Sequence, residues 1–557
     1  MKKFLFSLAA LGLTLIAAAA APAQDSKAGD NKPLLVMSLP SVDALMKDLE
    51  YLGKVTGAEA LHMKFEDAID MYAGGLKGLD RGKSIGLAAT TDGANFQFLA
   101  FLPATDADAL IALSPMPAED VGDGLKKIST PFGRDIFLKT KGSWLLASNE
   151  ASSLATVPAD PAKLLDGMDK QYDLGVRIYM QNIPPAYKGM AVGAIRLGAS
   201  QGMARKKPGE SEESYASRKK LVNQQIDALV KTINELDQIT LGWSVDAPAK
   251  KLVMEISATA KEGSDTAKKY AEQKDLRSNF AGFWKDDAVF SALAAAKVTE
   301  DEAAQLIGTL EQGEQAILKE IDKSDDFENE AQKAKVKEVV VKVWDVLEST
   351  IKAGQVDVGM TVLGEGPFTL AVGMGVADGA AADKALRDAI KIAEDEEVLA
   401  KVEYEAHKAG DVTFHVISPK LADSGEDVIS FLGADPKIVV ATGKKSLYFA
   451  LGTGAVKTLE DLIEKSKAAA GRPVPPGQMV LSLAPILKFA AKHDPDNPIV
   501  PALAESLTPG SDRIRISSKL IPNGESSRLE IDEGVVKMIG SALMMFRGGF
   551  GAAAPGR

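Results

Sequence analysis

At 557 residues, with 46% hydrophobic and 25% charged side chains, the chain has the make-up of an ordinary globular protein and length for roughly two to four domains. A formal net charge of −12 disfavours nucleic-acid binding and broad adhesion to anionic lipid, because such a surface repels phosphate, although local basic clusters stay possible. With 0 cysteines there is neither a disulfide framework nor a lipid-carrying cysteine, so the core alone must hold the fold.

Lys2 and Lys3 precede an apolar run from Phe4 to Ala21, and Ala21-Pro22-Ala23 is the small-x-small pattern that a signal peptidase reads. Residues 1–23 are expected to be a signal peptide cut after Ala23, giving an exported protein, periplasmic or secreted; a retained N-terminal anchor is the alternative. No later stretch reaches the roughly 18–20 uninterrupted apolar residues of a spanning helix, so no transmembrane segment is expected after cleavage. Residues 24–33 read as a polar leader. Leu34 to Leu39 alternates as a strand, Pro40 and Ser41 punctuate it, and Val42 to Leu52 reads as a helix. Ile85, Leu87 and Ala89 then alternate into Asp92-Gly93, and Phe96, Phe98 and Ala100 alternate out, the pattern of a hairpin. A helix is expected from Asp106, and a second extended pair over Asp135–Lys139 and Ser143–Ala147 leads to Ser148-Asn149-Glu150 and another short helix.

The sequence repeats itself. Leu35, Met37, Leu39 and Val42 return as Val176, Ile178, Met180 and Ile183, and again as Met479, Leu481, Leu483 and Ile486. Trp144 and Leu447 stand 303 residues apart, as do Val176 and Met479; Ile239, Leu241, Glu255 and Ile256 match Ile514, Ile516, Glu530 and Ile531 at 275. The difference places a 28-residue insertion between Ile183 and Ile239 of the first copy. Ile85-Gly86-Leu87 likewise resembles Val358-Gly359-Met360, and Phe96 resembles Phe368. Two tandem domains follow, 34–280 with the insertion at about 203–236, and 281–547 with a helical hairpin at about 299–353. A fainter half-repeat aligns Ile85, Leu87, Asp92 and Leu102 with Ile239, Leu241, Asp246 and Ile256. Short strands with tight turns imply an α+β class, tandem duplicated domains with antiparallel sheets covered by helices. The stripes Leu306, Ile307, Leu310, Ile317, Ile321 and Val336, Val340, Val343, Leu347 mark the helical hairpin, and 548–557 reads as a disordered tail.

Several motifs invite chemistry. Gly198-Ala199-Ser200-Gln201-Gly202 fits the nucleophile-elbow pattern, with His407 and His415 downstream, but no clear strand delivers Ser200 to a turn and the second copy has nothing like it near Pro501 to Leu507. Gly452-Thr453-Gly454-Ala455-Val456-Lys457-Thr458 has the setting of a phosphate cradle without the spacing of one. The counterpart turn, Ser148-Asn149-Glu150-Ala151, has no glycine. The four histidines, His62, His407, His415 and His493, include no pair at helical zinc spacing, and His493-Asp494-Pro495-Asp496-Asn497 gathers oxygen donors for calcium without the glutamate such a loop needs. The carboxylate runs Asp325-Asp326 and Glu394-Asp395-Glu396-Glu397, and the mixed block from Arg205-Lys206-Lys207 through Glu210, Glu212 and Glu213 to Arg218, read as solvated faces. No catalytic, cofactor-binding or metal-ligating residue is assigned, and no cofactor is expected.

With a leader ending Ala21-Pro22-Ala23-Gln24 and tandem α+β repeats over nearly all the remaining length, the chain resembles uncharacterised exported bacterial proteins of the domain-of-unknown-function type. The resemblance carries no functional residues across. The expected role is an exported, non-enzymatic binding or interaction scaffold whose partner is a protein or a hydrophobic small molecule. A periplasmic carrier of a hydrophobic ligand such as lipid is the main alternative; it requires apolar positions on a sheet face that no side chain covers. A serine hydrolase using Ser200 is the second alternative.

Overall fold

The computed structural model describes residues 32–91, 96–131, 133–207, 210–324, 327, 329–395, 399–420, 426–494, 497, 499–508 and 510–551. The expected signal peptide, the leader up to residue 31, the Asp92-Gly93 turn and the Asp325-Asp326 pair lie outside them. Content is mixed, helices with antiparallel strands, and no described helix is long and apolar enough to cross a membrane.

The chain divides into two compact units, the first drawn from residues up to Gly193, Ile233–Lys261 and Val536 onward, the second from Ala194–Thr232 and Glu262–Val535. In chain order come β1 (Lys32–Leu39), α1 (Val42–Thr56), α2 (Ala60–Ala73), β2 (Ile85–Thr91), β3 (Phe96–Pro103), α3 (Ala107–Ala112), β4 (Glu119–Gly122), β5 (Leu125–Ser129), β6 (Asp135–Lys141) and β7 (Trp144–Ser148). Next are α4 (Met168–Gln171), β8 (Leu174–Tyr179), α5 (Pro185–Gly202), α6 (Glu212–Glu235), β9 (Leu236–Asp246), β10 (Lys251–Ala260) and α7 (Asp265–Glu272). β11 (Phe290–Lys297), α8 (Glu300–Lys323), α9 (Glu330–Lys352), β12 (Gln355–Leu363), β13 (Thr369–Gly375), α10 (Gly379–Asp395), β14 (Leu399–Ala409) and β15 (Val412–Pro419) follow. The remainder is α11 (Glu426–Leu432), β16 (Lys437–Gly443), β17 (Ser446–Gly452), α12 (Ala455–Ala468), β18 (Gly477–Ser482), α13 (Leu483–His493), α14 (Ile499–Ser506), β19 (Arg513–Ile521), β20 (Gly524–Asp532) and α15 (Glu533–Gly551).

Helix boundaries follow local chemistry. Ser41 caps α1 through Ala44 N–H and Gly57 closes it in the left-handed region; Asp106 caps α3 through Ala109 N–H. Thr299 and Glu302 form a reciprocal capping box at the start of α8, and Asn329 caps α9. In that hairpin the Trp344 indole donates to the Leu310 carbonyl at 2.8 Å.

In the first unit the strands pair antiparallel in the order β4-β5-β6-β7-β3-β2-β1-β8-β9-β10. In the second the order is β14-β15-β16-β17-β13-β12-β11-β18-β19-β20, the same sequence advanced by ten. α5 and α6 occupy the connection between β8 and β9 where the shorter α13 and α14 join β18 to β19, so the extra residues lie in longer helices.

Register revises three of the sequence matches, that of Trp144 with Leu447 and those of Glu255 and Ile256 with Glu530 and Ile531. Cross-strand partners run Leu87, Ala100, Ala147 in one unit and Met360, Val372, Phe449 in the other, which sets Leu145, not Trp144, against Leu447. Trp144 packs with Phe101 on the aromatic side, whereas Leu447 faces α10. In the last hairpins Leu241 pairs with Ile256 and Ile516 with Leu529, so Ile256 corresponds to Leu529, two residues before Ile531. A connection of residues 247–250 against 522–523 accounts for it, and a shift of two keeps every side chain on its face.

One face of each sheet is built for close approach. Gly86, Gly175 and Gly242 form one cross-strand row on β2, β8 and β9, with Ser38 of β1 between the first two, and a Cβ there would come within 2.0 Å of the Phe101 ring, 2.8 Å of Ser38 Oγ and 2.2 Å of the Tyr172 ring. With Val36, Trp144, Leu146, Leu154 and Leu165 they form the core of the first unit. In the second unit Gly359 and Gly373 receive Phe280 and Phe283, which pack with Tyr448, Phe414 and the α12 side chains Leu459, Leu462 and Ile463.

Candidate functional site

The opposite face of the first sheet is aliphatic from strand to strand. Directly opposed residues point the same way, so two cross-strand rows can be read from register: Ala100, Leu87, Met37, Val176, Leu241, Ile256, and Phe98, Ala89, Leu35, Ile178, Ile239, Ala258. Leu174, Trp243 and Met254 begin a third row. Six strands at ordinary spacing make this face about 24 Å wide. Toward β7 the face continues through Leu102, Leu145 and Leu138 and is covered by Leu110 of α3 with Val42 and Met46 of α1. Toward β10 the cover ends, leaving Leu241 42%, Met254 44% and Ile256 49% exposed.

The second unit has the equivalent row, Phe449, Val372, Met360, Ala292, Met479, Ile516, Leu529. Val346 of α9 and Ala382 of α10 cover its β13 and β17 end around Met374 and Leu447. Ile516 at the other end is exposed.

Ser200 lies on α5, exposed, and its hydroxyl donates to the Leu197 carbonyl at 2.8 Å. A helical serine hydrogen-bonded to its own backbone lacks the strand-to-helix turn that exposes a nucleophile. Gly452 closes β17, where a Cβ would stand 2.7 Å from the Phe368 carbonyl oxygen, and the Thr453 hydroxyl donates to the Leu432 carbonyl at 3.0 Å, so local packing accounts for both residues. His407 and His415 fall on opposite faces of their hairpin, because His407 is paired with Phe414, the neighbour of His415. His407 meets Glu460 of α12, and His493 stacks on Phe489 with ring centroids 4.1 Å apart. Asn497 donates to Asp494 at 3.2 Å, while Asp496 lies outside the described residues. Among the described residues no group of three or more His, Asp or Glu is placed to hold a metal ion. Arg218 grips Glu210 with two bonds of 2.8 Å and Lys206 reaches Glu212 at 2.7 Å, so the mixed-charge block closes on itself. The Arg218 hydrogen bonds hold the Glu210 carboxyl at about 2.

Two polar centres were not singled out from sequence. On the α10 side of β15 and β16, fully buried His415 points Nε2 at Asp383 Oδ1, 2.9 Å away, while its Nδ1 accepts the Glu405 backbone N–H at 3.2 Å. That pairing places the ring proton on Nε2. Asp383 also accepts from Thr442 at 2.8 Å and from Arg387 Nε at 2.7 Å, and Arg387 continues to Glu405 at 2.9 Å. Burial alone would raise the Asp383 carboxyl, but bonds from Arg387, His415 and Thr442 hold it below the usual carboxylate range. Both imidazole nitrogens are committed and the ring is sealed, so His415 braces α10 on the sheet rather than accepting a substrate proton. Glu405 reaches it through a bulge in β14 at φ 51°.

In the first unit, burial followed by the neighbouring Asp173 carboxylate pushes Asp48 of α1 up to about 7. Asp173 is held by the Val245 N–H at 2.6 Å, and one Asp48 oxygen is buried with no donor on it. No protein-family model, curated protein or solved structure matches the chain.

Proposed function

We propose that the chain is an exported, non-enzymatic binding scaffold of two tandemly duplicated α+β domains whose sheets are covered by helices, and that its ligand is a hydrophobic molecule such as a lipid. The observation that carries the proposal is the aliphatic face across β3, β2, β1, β8, β9 and β10, which ends in exposed Leu241, Met254 and Ile256. Contiguous exposed apolar surface is costly in water and marks a place where something binds. Each methylene of an acyl chain laid on it gains about 0.8 kcal/mol. The duplication is supported by the shared ten-strand order and by Gly86 and Gly359, which hold the same place in the two registers and each lie against a phenylalanine. Export is supported by the Lys2-Lys3 start, the apolar run and Ala21-Pro22-Ala23.

The test is organic extraction of the purified protein with mass spectrometry of the extract, joined to titration with a fluorescent fatty acid. Bound lipid and saturable binding are expected, with Leu241→Asp and Ile256→Asp each weakening the fatty acid at least about tenfold. An empty extract with no saturable binding would retire the hydrophobic-ligand reading.

A further inference from the structure

Helix α15 is anchored at its start and exposed from Leu543 to Met545. Val535, Val536 and Gly540 are buried, and a Cβ on Gly540 would stand 2.6 Å from Thr56 Cβ at the end of α1. At 3.6 residues per turn the face carrying Val536 and Gly540 continues through Leu543 and Met544, which have lost that backing and are 61% and 53% exposed. Ile539 and Met545 flank them at 46% and 39%. The charge here also reverses. From Gly534 to Arg557 the sequence has Lys537, Arg547 and Arg557 and no acidic residue, in a chain of net charge −12.

We propose that this end of α15 docks on an anionic lipid bilayer, with Leu543 and Met544 at the acyl boundary and exposed Lys537 at the headgroups. An apolar helical face with exposed Lys537 on the same helix, in a stretch of sequence without carboxylates from Gly534 onward, gains from both burial and surface potential, whereas a protein partner would need no such charge bias. The acidic remainder of the molecule would be repelled by the same surface, so contact is confined to this segment. The proposal is independent of any ligand on the sheet face.

Flotation with vesicles tests it, using the chain from Gln24 onward, which keeps every described residue. Binding is expected to phosphatidylcholine vesicles containing about 30% phosphatidylglycerol, to be weak on phosphatidylcholine alone, and to fall at about 0.5 M salt. Leu543→Ser with Met544→Ser should lower binding at least about tenfold, and Lys537→Glu should remove much of the preference for the anionic lipid. These exposed positions should leave the thermal melt unchanged, which separates lost docking from lost folding. Ile256→Asp, on the sheet face, should float like the unaltered chain. No flotation, flotation unmoved by the α15 substitutions, or a self-associated form that those substitutions dissolve would overturn the proposal, the last by giving the face to a second copy.

Discussion

At residue scale the buried polar centres control pH response. The folded Asp383 carboxyl lies below its unfolded value of about 3.9, so its stabilisation is complete above that pH and is lost as pH falls through the folded value. Asp383→Ala would leave the His415 N–H, Thr442 and Arg387 without their shared acceptor and is expected to cost about 3 kcal/mol at pH 7, read from urea unfolding. Asp48 behaves oppositely. Its folded value of about 7 means the native state holds a proton that the unfolded chain has released, so stability falls as pH rises from about 4 to 7. Asp48→Asn should flatten that slope and, allowing for screening of a half-buried group, gain about 1–2 kcal/mol at pH 8 with little gain at pH 5. An Asn variant that kept the slope would place the titrating group elsewhere. Ser200→Ala is expected to change unfolding by under about 0.5 kcal/mol, and a fluorophosphonate probe to leave the protein unlabelled.

Elements were legible where one periodicity dominated. Leu34–Leu39 and Val42–Leu52 fall within β1 and α1, and the stripes through Leu306 and Val336 fall on α8 and α9. β4 and β5 were missed because Glu119-Asp120-Val121-Gly122 and Leu125-Lys126-Lys127 have no apolar alternation to read. Trp144 was matched one residue out because Trp144, Leu145 and Leu146 are all buried, which erases the period of two that fixes register. The aliphatic rows were visible as alternating residues, but which of them stayed uncovered depends on where α1 and its neighbours stop. Asp383 and His415 come from a helix and a strand, and their meeting was not available from spacing; the hint was one histidine in the otherwise apolar Phe414-His415-Val416-Ile417 run. Element stability has its own tests. Thr299→Ala, which removes the capping box of α8, should cost about 1 kcal/mol by thermal denaturation. Gly242→Ala, which drives a methyl into the Tyr172 ring, should cost about 1–3 kcal/mol.

At the scale of the whole molecule, the sheet faces divide the work: one side of each is closed by aromatic rings over glycine, the other is aliphatic and partly open. If the Ala21-Pro22-Ala23 site is used, protein recovered after export should begin at Gln24 on N-terminal sequencing. The grouping of residues has a consequence in time. The first unit takes in the chain from Val536 onward, which is made after every strand of both units, and the second takes in Ala194–Thr232 from the earlier half. A nascent chain that has reached Lys261 therefore holds every strand of its first sheet but not the helix that backs onto Thr56. The first unit is therefore complete only after all of the second unit's strands have been made, so a nascent chain ending at Lys261 is expected to be less stable than the full unit, read as faster proteolysis of a chain cut at that residue.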